Sequence, residues 1–189
     1  LSVGATIAFI NIIVSDRIWI GVPVGWIILT VVVTGVLIGT INGLLVTKLR
    51  ASAVVVTLGT GAIITGAGLF LSGGAPGNAM HGFIKWLGRG RYETIPVSGI
   101  IWIVTVVVCF ILLKRLVIGR NIYASGDNPS SARYSGIPVD TTLLLSHIIC
   151  SVCAALGGLI LSGLIGVGSL NLGADYVLSS ITAVILGGA

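Results

Sequence analysis

From Gly21 to Thr47 the chain carries no charged side chain, and the same holds from Ala51 up to Lys85, from Thr94 to Leu113 and from Thr141 to Ala174. Stretches of this kind reach or exceed the roughly 20 apolar residues that a helix needs to cross a bilayer. In hydrocarbon each backbone N–H and C=O has to be satisfied within the segment, which leaves the helix as the local solution for a single apolar run. Shorter uncharged runs at Leu1–Ser15 and Tyr176–Ala189 carry the pattern to both ends. The expected fold is all-α, a polytopic membrane helix bundle. Composition agrees: 56% of residues are hydrophobic, 8% are charged and the mean hydropathy is +1.16, far from the quarter or so of charged residues in soluble domains. A signal peptide shows one basic start and one short apolar core, whereas apolar segments recur here along the whole chain. Soluble-enzyme folds are thereby set aside. Leu1 lies inside an apolar run and Ala189 follows Gly187 and Gly188 with no polar tail. Residues 1–189 are therefore expected to be part of a single transmembrane domain, cut at both ends.

The net charge of +5 is placed at segment ends and reports orientation rather than nucleic-acid binding, which needs a basic face on a soluble fold. With Val22–Thr47, Ala51–Ser72 and Pro96–Leu113 as successive spans, Lys48, Arg50, Lys114, Arg115, Arg120 and Arg133 fall on one side, six residues. Arg17, Lys85, Arg89 and Arg91 fall on the other, four residues. The excess puts the segment after Leu113 in the cytoplasm.

That segment holds a polar island, Gly119 to Asp140, reading GRNIYASGDNPSSARYSGIPVD. A chain otherwise written for lipid spends polar residues in a row on a ligand loop, a terminus or a docking surface, and docking is the reading favoured here. Pro129 and Pro138 bracket Ser130–Ile137, a stretch able to form a short helix capped by Asn128. Ser131, Ala132 and Ser135 are small enough to let a partner's groove close over it, and Arg120 and Arg133 are available for acidic groups on that partner. An ordinary solvated loop is the plainer alternative.

Within the spans, Gly35, Gly39 and Gly43 recur every four residues, as do Ala154, Gly158 and Ser162, so each set lines one helix face that lets a second backbone approach. In Ala51–Ser72, glycines at 59, 61, 66 and 68 alternate with Thr57, Thr60 and Thr65, which predicts a bent or interrupted helix. Those threonines, with Asn42 and Asn11, are either pathway residues for a polar solute or packing groups. Cys150 and Cys153 form a C-x-x-C that no second pair completes, and with Cys109 they read as small membrane hydrophobes rather than a metal or redox site. His147 is the ionisable group at apolar depth. The loop Gly73–Ile95 is rich in turn formers (Gly73, Gly74, Pro76, Gly77, Asn78) and carries Phe83, Trp86 and Tyr92 among Lys85, Arg89 and Arg91, the mix of a short interfacial helix.

The island resembles that of the permease subunit of bacterial ribose- and xylose-type ABC sugar importers, G-R-x-I-Y-A-x-G-x-N-x-x-A-A-R-x-S-G-I. The matching residues are Gly119, Arg120, Ile122, Tyr123, Ala124, Gly126, Asn128, Ala132, Arg133, Ser135, Gly136 and Ile137, with Ser131 in place of an alanine. LSVGA at Leu1–Ala5, VTLGT at Val56–Thr60 and ITAVILGGA at Ile181–Ala189 agree in order, so the resemblance covers the whole chain. Ser52, Ala53 and Val54 depart from the proline and aromatic that often precede V-T-L-G. The resemblance implies a multi-pass subunit of the bacterial inner membrane that pairs with a second permease copy, receives a monosaccharide from a periplasmic sugar-binding protein and is driven by cytoplasmic ABC ATPase subunits. It further implies that Arg120, Tyr123, Ala124, Gly126, Asn128, Ala132, Arg133, Ser135 and Gly136 couple to the ATPase; Asn42, Thr57, Thr60 and Thr65 are the pathway candidates read from the polar groups within the spans. No catalytic residue, metal site or cofactor is expected on this chain.

Relatives that carry branched-chain amino acids or nucleosides are the main alternative, and Tyr123 and Ser135 favour the sugar type. An ion-gradient transporter or channel would commonly carry charges within its spans, and here the middle of each span lacks Asp, Glu, Lys and Arg. A membrane scaffold needs no docking island.

Overall fold

A computed structural model describes residues 2–187 apart from 76, 78, 79, 93, 94 and 170. Leu1, Pro76, Asn78, Gly188 and Ala189 of the segments above lie outside these residues, as do the side chains of Arg17, Tyr92 and Ile95. The elements in order are α1 (Val3–Val14), a 3₁₀ turn at Arg17–Trp19, α2 (Val24–Lys48), α3 (Ala53–Ser72) and α4 (Gly82–Arg89). An antiparallel pair follows, β1 (Arg91–Tyr92) and β2 (Ile95–Pro96), then α5 (Val97–Arg115), α6 (Val117–Asp127), α7 (Pro129–Tyr134), α8 (Val139–Ile165) and α9 (Ala174–Leu186). Among the described residues α2, α3, α5 and α8 are long and apolar enough to cross a membrane, whereas α1 and α9 are shorter apolar helices.

α8 is the axis of the bundle, and small residues decide what touches it. On α2, a Cβ at Gly39 would lie 2.5 Å from the Ile148 Cα, and one at Gly43 would lie 3.0 Å from the Leu144 Cα. The predicted glycine face is thus the one on which α2 meets α8 backbone to backbone. Further along α8, a Cβ at Gly158 would lie 3.0 Å from the Ile7 carbonyl oxygen, so α1 seats there just as closely. Ile10 and Val14 of α1, Ile27 and Val31 of α2, Ile84 of α4 and Ala155 and Leu159 of α8 close the core between these contacts. α5 stands apart: Val97 is its one fully buried residue, and its apolar side chains face outward as a lipid-facing helix does.

α4 is the interfacial helix expected in the Gly73–Ile95 loop. It buries Ile84 and Gly88 against α8 and leaves Lys85 and Trp86 exposed. Arg89 then reaches past the end of α8, its Nε donating to the Leu164 carbonyl at 2.7 Å and Nη2 to that of Ile165 at 2.6 Å. Carbonyls at a helix C-terminus lack intrahelical donors and carry partial negative charge, so a guanidinium fork satisfies both needs.

One expectation is corrected. α3 is unbroken from Ala53 to Ser72 despite its glycines. Thr57 and Thr65 turn their hydroxyls back onto the carbonyls four residues earlier, at 2.7 and 2.9 Å, and Thr60 donates to Asn42 Oδ1 of α2 at 2.6 Å, so none of these hydroxyls interrupts the helix. The island holds the short Asn128-capped helix expected in it, α7, preceded by a second helix, α6. Irregular backbone occurs instead after α8, at residues 166–169. There Asn11 of α1 accepts a bond from the Ser169 N–H and donates to the Val167 carbonyl (3.3 Å) and the Ser162 hydroxyl (2.9 Å). Asn11 is therefore a clasp for peptide groups that no helix satisfies.

Candidate functional site

The island is rigid for local reasons. Asn128 leaves the helical region (φ −149°, ψ 100°) and its Oδ1 accepts from the Ser130 and Ser131 N–H groups, both at 3.1 Å, with Pro129 at the first helical position. At the other end, Ile137 N–H bonds back to Ala132 O and Gly136 N–H to Arg133 O, both at 3.0 Å, with Gly136 at φ +80°. This is the paired closure that favours glycine just past a helix. Asn128 and Gly136 therefore start and stop α7, and Ser135 bonds its hydroxyl to the Ser131 carbonyl within it.

The surface this creates differs in detail from the one expected. Ala132 is 4% exposed, turned inward, so its small size serves the seating of α7 on its own chain and not a partner's groove. Arg133 spends its charge at home: Nη2 donates to Asp140 Oδ1 at 2.6 Å, both side chains remaining more than half exposed. Arg120, Gly126, Ser135 and Gly136 are exposed, Ala124 is half-buried and Tyr123 is 62% exposed. Tyr134, which the motif leaves unspecified, is 94% exposed at the last turn of α7. An aromatic ring held in water on a capped helix is the kind of group that anchors interfaces. Its position beside an arginine in an otherwise small-residue island was the sequence signal for it.

The proposed pathway residues are only partly brought together. Asn42 is buried, its Nδ2 donating to Ser2 Oγ at 3.1 Å and its Oδ1 lying 2.6 Å from Thr60 Oγ1. Asn42 and Thr57 line an open cavity of about 370 Å³ between α1, α2, α3 and α8, together with Ser2, Ser146, His147 and Ser151. His147 has its Nδ1 2.9 Å from the Leu143 carbonyl. Thr65 lines a smaller cavity with Gly61 and Asn171, which Thr57 borders as well. Cys153 meets Cys109 of α5, with sulfurs 3.9 Å apart, rather than its sequence neighbour Cys150. The island and the α2–α3 turn share one end of the bundle, because Arg50 and Ala51 border the same cleft as Pro129, Ser130 and Arg133.

Residues 2–189 match the family described as branched-chain amino acid transport system / permease component. The chain belongs to that family. Among similar proteins, the autoinducer 2 import system permease protein LsrD of Yersinia enterocolitica is 34% identical over 100% of this chain and 59% of the relative. Its namesakes in Photorhabdus luminescens and Escherichia coli strain K12 are 31% and 33% identical over the same shares. The chain thus spans 59% of the length of these relatives. No solved structure matches it. Membership in this permease family, with four apolar spans, makes the chain a multi-pass inner-membrane protein, and the permease resemblance read from the island holds.

Proposed function

We propose that residues 1–189 form part of the transmembrane domain of an ATP-driven importer, with the island facing the cytoplasm as the docking surface for its ATPase. A periplasmic binding protein delivers a monosaccharide from the other side, and a second permease copy completes the path. The observation that carries the reading is the capped, exposed α6–α7 pair with Tyr134 at its tip, a build that a merely solvated loop does not require. Arg120, Tyr123, Ala124, Gly126, Asn128, Ala132, Arg133, Ser135 and Gly136 then act as a unit. Asn128, Ala132 and Gly136 hold the shape, while Arg120, Tyr123 and Tyr134 meet the partner.

A monosaccharide is favoured because hydroxyls, the Asn42 amide and the His147 imidazole stand among the apolar Val3, Ala53 and Val54 around the cavity, a wall that offers hydrogen bonds to a hydroxyl-rich, uncharged solute. Thr57 borders that solute and Thr60 orients Asn42 toward it, with Thr65 further along the path. A branched-chain amino acid is the second reading, favoured by the family's description. A zwitterion in such a cavity would need compensation for its two charges. Vesicle uptake in the presence of ATP decides between them, with labelled ribose, xylose, leucine and autoinducer 2 compared in the full-length complex. Tyr134→Ala with Arg120→Glu is expected to cut uptake about tenfold or more and to release the ATPase. Normal uptake with the ATPase still attached overturns the docking role.

A further inference from the structure

Among the described residues one non-glycine has positive φ, and it is Arg50, at +51°. It follows Leu49, the C-cap of α2, at the position where helices favour glycine because a Cβ is strained there. This chain has 28 glycines and ends α3, α7 and α8 with Gly73, Gly136 and Gly166 at positive φ. An arginine kept in the corresponding place points to a use for its side chain.

Its surroundings supply one. Arg50 is exposed and borders a cleft of about 340 Å³ whose other wall is Ser130 and Arg133 of α7 with Asp140 of α8. Arg133 and Asp140 form the one ion pair among the described residues, so the cleft holds a matched pair and one further cation. That end of the molecule carries Lys48, Arg50, Lys114, Arg115, Arg120 and Arg133 against Asp127 and Asp140, six positive groups and two negative.

We propose that the α2–α3 turn is the second half of the docking surface, with Arg50 held at positive φ to receive a carboxylate of the ATPase in the cleft it shares with α7. The proposal rests on the island reading and adds a contact that no coupling motif contains. Arginine is suited to it because its fork takes a carboxylate bidentately and stays charged.

The test uses the full-length permease co-expressed with its ABC ATPase, scored by co-purification and by ATP-driven vesicle uptake. R50G keeps the backbone conformation and removes the charge, R50K keeps the charge, and R50E reverses it. The expected result is about tenfold less ATPase retained by R50G and R50E, with R50K close to wild type. Y134A serves as the island reference. If Y134A releases the ATPase while R50G and R50E keep it, the island reading stands and this proposal falls. If all of these variants keep it, both fall. If R50E lowers membrane yield but the recovered protein binds ATPase in full, Arg50 meets lipid headgroups and the proposal is overturned.

Discussion

Asn11 and Asn42 are both amides buried among apolar side chains, and from composition they are interchangeable. Their surroundings separate them. Asn11 serves three peptide and hydroxyl groups around residues 162–169, while Asn42 joins Ser2 and Thr60 beside a cavity. Asn11→Leu removes the fully buried amide that partners the Ser169 N–H and the Val167 carbonyl. The expected cost is about 1–3 kcal/mol, read as a lower melting temperature in detergent, with Asn11→Asp intermediate because it keeps the acceptor for Ser169. A melting temperature equal to wild type for Asn11→Leu contradicts the clasp. Arg133 makes a related point. As a lone arginine in a polar run it looks available to a partner, and only the turn at Gly136 brings Asp140 within 2.6 Å of it.

At the scale of elements, the α2–α8 contact is the one on which the bundle depends. A Cβ at Gly39 meets the Ile148 backbone, which has no rotamer to move, whereas a Cβ at Gly25 on the same helix meets nothing within 4 Å. Gly39→Ala is therefore expected to lower the yield of folded protein and its melting temperature, by about 1–3 kcal/mol or more if the helices separate. Gly25→Ala is expected to be neutral or stabilising by up to about 1 kcal/mol, since alanine is the better helix former. Equal effects at the two sites in a detergent melt sink the packing argument. Legibility divides along the same line. The recurrence of Gly35, Gly39 and Gly43 announces a close helix contact, yet nothing local names α8 as the partner. For α3 local propensity misleads, because glycine and threonine weaken a helix in water but leave it the favoured backbone at apolar depth.

For the whole molecule the open quantity is its direction in the bilayer. Lys85 on α4 and Ser130 on α7 are both exposed and lie at opposite ends of α8. In a cysteine-free full-length protein, Lys85→Cys is expected to react with a membrane-impermeant thiol reagent in intact cells, while Ser130→Cys reacts only after lysis. The reverse pattern turns the island outward and removes the ATPase from it. The sequence by itself determined what a short stretch can decide alone: the apolar runs that become helices, the basic residues gathered at one end, and the Asn128-Pro129 start of α7. Each follows from residues a few positions apart, through hydrophobicity, charge or a cap. Tertiary structure decided the burial of Ala132, the Cys109–Cys153 contact, the reach of Arg89 to the end of α8 and the cleft between Arg50 and α7. Those contacts join residues far apart in the chain, and their geometry is set by how closely small side chains let one helix slide against another, a property of pairs of surfaces that no single segment encodes.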